Sequence, residues 1–161
     1  MTLLSDAGNL VAFLRSKGLT LCAAESCTGG MIGSTITSVP GASDVFLGSA
    51  VTYSNDSKVR ILKVSQITLE SYGAVSEQTA KEMAYGSKKV FKGDLAVAVT
   101  GIAGPGGGTP EKPVGLVYIA VTDGFIFKVT RNLFEGDRQS VREQTVQKAL
   151  EMLKEAAEGI K

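Results

Sequence analysis

Histidine is absent from this chain of 161 residues, and so is tryptophan. Without histidine the usual general base is missing, so any nucleophilic chemistry must use lysine, tyrosine or a carboxylate. Cysteine occurs only at Cys22 and Cys27. That spacing across a strand-to-turn junction suggests no stable disulfide framework, and a tetrahedral zinc site would need carboxylates to complete it. Metal chemistry is set aside on those grounds. Net charge is only +1, so nothing electrostatic favours nucleic acid or an anionic membrane as a partner. No apolar run reaches the ~18 residues of a membrane span. The N-terminus, with Ser5 and Asp6 among scattered leucines, is no secretory signal. A cytoplasmic protein is expected.

What is present fits one globular domain over residues 1–161: 43% hydrophobic and 20% charged residues, with no internal repeat and no low-complexity linker. Leu3, Ala7, Leu10, Val11 and Leu14 recur at helical steps and stop near Lys17-Gly18. Leu19 to Ala23 reads as a buried strand, Met31 to Thr37 as a helix, and Phe46 to Tyr53 as a strand. Lys58 to Leu62 is a helical piece. Ser65 caps a short helix running to Tyr72, and Ser76 caps a longer one whose inward face runs from Ala80 to Phe91. Leu95 to Val99 is continuously apolar, as a central strand covered on both faces should be. Gly115 to Val121 and Phe125 to Leu133 read as an antiparallel pair joined around Asp123-Gly124. Asp137 caps the last helix. The pattern predicts an α/β fold with a mostly parallel sheet sandwiched between helices.

Three clusters lie outside what a core needs. The first is Ala24-Glu25-Ser26-Cys27-Thr28-Gly29-Gly30, where a serine stands at the corner between a strand and a helix start. Taken alone, a helix cap and a glycine turn explain it better. The second is Tyr53 with Asn55 and Lys58; alone, an ordinary strand end with a solvated lysine is the better explanation. The third is Thr100-Gly101-Ile102-Ala103-Gly104-Pro105-Gly106-Gly107-Gly108, directly after the strongest strand and within a glycine-rich loop from Gly101 to Pro113. In open α/β sheets ligands gather at the carboxyl ends of strands. The run fits neither the dinucleotide fingerprint nor the P-loop, yet so many glycines invite close backbone approach to a ligand.

Chemistry joins the clusters. A serine hydroxyl needs a base, and a buried lysine with its pKa lowered from ~10.4 toward neutrality is the natural candidate without histidine. Lys58 is expected in that role toward Ser26, with Tyr53 relaying or hydrogen-bonding the proton. The amides around Cys27, Thr28, Gly29 and Gly30 are expected to form an oxyanion hole. Cys27 is the rival nucleophile, favoured by a helix N-terminus but lacking its usual histidine. Arg138 and Arg142 stand four apart near the start of the last helix, where cations are disfavoured unless an anion is close. They are either paired with Glu135 or Asp137, or arms for a phosphate or carboxylate substrate.

The whole chain resembles the CinA C-terminal domain family, the nicotinamide-nucleotide amidases. The resemblance rests on the Ser26 stretch, Val51-Thr52-Tyr53-Ser54-Asn55 with Lys58, and Gly73-Ala74-Val75-Ser76-Glu77. It continues through Thr100-Gly101-Ile102-Ala103-Gly104-Pro105 and Glu111 to Gly115, and ends on Gly136-Asp137-Arg138 with Arg142. It implies a three-layer α/β/α sandwich with a mixed five-stranded sheet, no metal or cofactor, and a homodimer. It also implies hydrolysis of nicotinamide mononucleotide to nicotinate mononucleotide and ammonia, with Ser26 as nucleophile, Lys58 as base and Tyr53 assisting. Thr100, Gly101 and Gly104, with Asn55, Arg138 and Arg142, would hold the nucleotide. The chain resembles the family's stand-alone form rather than members with an additional molybdopterin-binding-like domain. The reading from a different class is a non-catalytic nucleotide-binding regulatory module linked to competence or DNA damage.

Overall fold

A computed structural model describes residues 2–160. The chain runs α1 (Leu3–Lys17), β1 (Leu21–Glu25), α2 (Met31–Thr37), a 3-10 turn (Ala42–Asp44), β2 (Phe46–Val51), α3 (Asn55–Leu62) and α4 (Gln66–Tyr72). It continues through α5 (Glu77–Phe91), β3 (Leu95–Gly101), β4 (Leu116–Thr122), β5 (Phe127–Leu133) and α6 (Arg138–Glu158). Ser76 accepts from the Thr79 amide and Asp137 from the Ser140 amide, each satisfying an orphan donor of a helix start, whereas the expected cap Ser65 stands at the start of α4 without a side-chain capping bond. Gly18 closes α1 in the left-handed conformation that glycine adopts without strain.

The strands form one sheet in the order β2-β1-β3-β4-β5. β1 pairs in parallel with β2 and β3, while β4 pairs antiparallel with β3 and β5. Only β4 is reversed, so the sheet is mixed and four strands share one direction. Alternation along each strand sorts its residues by size. Val97, Val99, Val117 and Ile119 face the layer of α1, α2 and α6 and build the larger core with Leu10, Leu14, Ile36 and Leu153. The opposite face carries Ala24, Ala50, Ala98 and Ala120 under Met83, Ala84, Leu62 and Leu69, so α5 and its neighbours sit on a shallow alanine surface. Helices α3 and α5 also come close to each other. A Cβ on Gly86 would stand 2.1 Å from the Leu62 carbonyl oxygen.

β2 ends at Val51, short of the expected Tyr53, while β1 and β3 run two residues further than expected, to Glu25 and Gly101. Two strand starts come two residues later than expected, each for a local reason. β1 begins at Leu21 because Leu19 is still bonded to the Leu14 carbonyl behind α1, and Thr20 is held by the Asp94 carboxylate. β5 begins at Phe127 because the Asp123 side chain takes the amides of Phe125 and Ile126 out of the ladder. Among the described residues no helix is long and apolar enough to cross a membrane. The carboxyl ends of β1, β2 and β3 lie at one end of the sheet, where β1 leads to α2 in one layer and β2 leads to α3 in the other. That divergence opens a crevice.

Candidate active site

Ser26 follows β1 directly. Its amide donates to the Val99 carbonyl of β3 at 3.1 Å, and its carbonyl accepts from Gly29 at 3.1 Å. The chain therefore turns within three residues, and Gly29 and Gly30 take the positive φ values, 59° and 105°, that this requires. Lys58 enters from the opposite layer. Ser54 caps α3 by accepting from the Ser57 amide, which starts the helix so that Lys58 points back toward the sheet. Its side chain is only 1% exposed.

The lysine amine has three partners. It stands 3.0 Å from Ser26 Oγ, 2.7 Å from the Thr52 carbonyl oxygen and 3.2 Å from the Tyr53 carbonyl oxygen. A neutral amine has two N–H donors and one lone pair. With both donors on carbonyls, the lone pair is left toward the serine hydroxyl, the arrangement a general base needs. No carboxylate is among these partners to hold the ammonium form, and burial lowers the Lys58 pKa to about 8. Burial acts the other way on Cys27, pushing its thiol up to about 11. Cys27 is therefore a neutral thiol near pH 7, which counts against it as the rival nucleophile.

Other predicted residues are placed differently from expectation. Tyr53 serves Lys58 through its backbone carbonyl; its phenol is 63% exposed and accepts from Arg138 Nη2 at 3.3 Å. Arg142 makes no ion pair among the described residues. Its Nε and Nη2 donate to the carbonyls of Cys27 and Thr28 at 3.3 and 2.9 Å, gripping the serine corner from outside. Arg138 donates to the Gly104 carbonyl at 2.7 Å and has no carboxylate partner, since Asp137 is spent on its cap. The Gly29 amide is consumed by the Ser26 carbonyl, and Thr28 Oγ1 by Glu25. Of the amides expected to form the oxyanion hole, those of Cys27, Thr28 and Gly30 donate to no oxygen among the described residues. Asn55 is exposed at the start of α3 and lines no cavity with the others.

A cavity of about 210 Å³ opens over the dyad. Ser26, Cys27, Tyr53, Lys58, Thr100, Gly101 and Arg138 line it, as the sequence led one to expect. Ala74, Val75 and Ala103 complete its wall and were not foreseen, because small apolar residues in loops carry no chemical signal. Thr100 Oγ1 donates to the Ala74 carbonyl at 2.8 Å, tying the end of β3 to that wall. A wider groove of about 610 Å³ lies between α3, α5 and Phe127; Ile61, Leu62, Val90 and Phe127 line it together with Lys63, Lys81, Glu82 and Lys89, and it holds no serine or cysteine. No cluster of three or more His, Cys, Asp or Glu side chains able to hold a metal ion stands among the described residues.

Known proteins share this architecture and sequence. A CinA-like protein of Petrotoga mobilis is 53% identical over 131 residues, which are 81% of this chain and 32% of that protein. One from Citrifermentans bemidjiense is 52% identical over 145 residues, 90% of this chain and 35% of its own length. The chain thus spans about a third of these curated relatives. The solved competence/damage inducible protein CihA from Agrobacterium tumefaciens superposes with TM-score 0.93 at 42% identity, covering 97% of this chain and 95% of its own. Competence damage-inducible protein A of Klebsiella pneumoniae superposes with TM-score 0.97 at 30% identity over the whole of both chains. The sequence profile of the CinA C-terminal domain matches residues 5–157, and this chain belongs to that family.

Proposed function

We propose that this domain is an amidohydrolase that converts nicotinamide mononucleotide to nicotinate mononucleotide and ammonia. The observation that carries the reading is the buried amine of Lys58, held by two backbone carbonyls with its third position 3.0 Å from Ser26 Oγ. Simple binding of a nucleotide requires no such arrangement. Lys58 takes the hydroxyl proton as Ser26 Oγ bonds to the carboxamide carbon, and the Cys27 amide stabilises the oxyanion that forms. The proton passes from the Lys58 ammonium to the nitrogen, the C–N bond breaks, and ammonia leaves an ester on Ser26. Water, deprotonated by the same amine, attacks that ester; the acyl C–Oγ bond breaks, the Lys58 ammonium returns the proton to Ser26 Oγ, and the acid leaves. A cavity of about 210 Å³ suits the flat carboxamide ring, while the sugar and phosphate extend toward Arg138, a cation without a counter-charge.

Incubation with nicotinamide mononucleotide, followed by measurement of ammonia and of the acid product, tests the reading. Wild type should release both in equal amounts and Ser26→Ala neither. No ammonia from wild type over a broad pH range overturns the amidase reading and favours the regulatory module suggested by the competence and damage names of the solved relatives.

A further inference from the structure

The Glu25 carboxylate is fully buried, yet among the described residues it has no cationic partner, and it has no part in the chemistry above. Its two oxygens are met entirely by donors. Oε1 accepts from Thr28 Oγ1 at 2.7 Å and from the Ile32 amide at 2.8 Å. Oε2 accepts from Ser49 Oγ at 2.6 Å and from the Gly33 amide at 3.1 Å. Each oxygen thus holds one hydroxyl and one backbone N–H. Helix α2 has no side-chain cap of its own and no acid in its first turn, so Glu25 supplies from β1 the acceptor that its orphan amides lack. Gly33 permits the approach, since a Cβ there would stand 3.3 Å from Ser49 Cβ and 3.6 Å from Glu25 Oε2. The backbone of Glu25 adds a further tie: its carbonyl accepts from the Thr52 amide at 2.8 Å, and the Thr52 carbonyl in turn holds the Lys58 amine at 2.7 Å.

We infer that Glu25 is the positioning residue of the site, a buried four-donor clamp that fixes the Ser26 corner relative to β2 and Lys58; this rests on the Ser26–Lys58 reading. The clamp works by geometry. Its charge is spent on α2 and two hydroxyls, and the Lys58 amine takes no contact from it. A glutamine cannot replace it, because its NH2 group must face one of two backbone N–H donors that cannot turn away.

The test uses a fluorophosphonate that labels an activated serine, read by intact mass, beside steady-state turnover of nicotinamide mononucleotide. Glu25→Gln should label about 10²-fold more slowly per folded molecule, since a small misplacement of reacting groups costs that much. Its kcat should fall in parallel, with KM within about threefold of wild type and the pH midpoint of kcat/KM unmoved. Ser49→Ala removes one donor and leaves three, and should label about threefold to tenfold more slowly. If Glu25→Gln does not fold, Ser49→Ala decides, and an unchanged labelling rate overturns the inference. A folded Glu25→Gln within about twofold of wild type also overturns it, as does a loss that merely follows the unfolded fraction. A displaced pH midpoint overturns it differently, by showing that Glu25 acts on the charge of Lys58. Wild type that labels but turns over no nicotinamide mononucleotide would remove the proposed substrate, and the labelling rates of the two variants would still decide the clamp.

Discussion

Two glycine-rich turns leave the same end of the sheet, one after β1 and one after β3, and they are opposite in mechanics. Residues 25–30 are gripped on every side. Glu25 accepts from within, Arg142 donates from without, and Ser26 is bonded across to Val99. Residues 105–111 are all exposed. The longer loop is held mainly at its margins, by Arg138 on the Gly104 carbonyl, Lys112 on the Tyr72 carbonyl at 2.5 Å, and the mutual bonds of Ile102, Gly115 and Leu116. Gly29 and Gly30 in the first turn take positive φ, and so do Gly104 and Gly107 in the second, where a Cβ on Gly104 would collide with Val114 but one on Gly106 would meet nothing within 4 Å. The same residue type therefore serves a turn held by side chains on both sides and a loop whose middle is exposed. The proposed nucleophile stands on the held turn, and the exposed loop follows Thr100 and Gly101, which line the cavity beside it.

The largest effect expected from breaking this contrast lies in the dyad. Ser26→Ala and Lys58→Met should each lose about 10⁴-fold or more in kcat, measured by ammonia release, and the double variant should be no worse than either alone. For wild type, kcat/KM should rise with pH to a midpoint near 8, because the amine must be neutral and burial lowers its pKa to about 8. The same group shapes stability. Its folded pKa lies below the unfolded value, so the unfolded state binds more protons between the two and stability should rise from about pH 8 toward ~10.4. Lys58→Met should flatten that rise in chemical denaturation curves.

Next come the two arginines, which the sequence makes look alike. Arg138→Gln should raise KM for the nucleotide about 10- to 100-fold while leaving the melting temperature close to wild type, as loss of a charged anion contact predicts. Arg142→Gln should instead lower kcat and the melting temperature together, because its partners are the corner's own carbonyls. Equal effects on KM from both would remove the distinction drawn between them.

The smallest effects compare glycines. Gly30→Ala at φ 105° should cost about 1–2 kcal/mol of stability by denaturant unfolding. Gly106→Ala should be neutral or slightly stabilising, by up to about 1 kcal/mol through the unfolded chain.

The strong periodicities, the caps at Ser76 and Asp137 and the central strand Leu95 to Val99 were all readable from residue order, because each is a local property. So was the pairing of Ser26 with Lys58 as chemical types, since the absence of histidine left few bases. Side-chain direction was not readable. Tyr53 contributes its carbonyl where its phenol was expected, and Arg142 turns onto the serine corner because α6 packs beside it. Glu25 stood in full view between an apolar strand and the serine. An acid ending a buried strand must find donors, and that signal went unread because the donors come from α2 and β2. The β1 boundary moved for a similar reason, since Asp94, far along the chain, holds Thr20.

One consequence follows from where the two halves of the dyad originate. Ser26 sits on the turn into α2, whose residues pack in the larger core, whereas Lys58 belongs to α3 in the alanine-faced layer. No single layer contains both groups, so a half-formed chain exposes a serine with no base and a lysine that water keeps charged. On the proposed reading, activity therefore reports the assembly of both layers: during refolding it should reappear later than helical content.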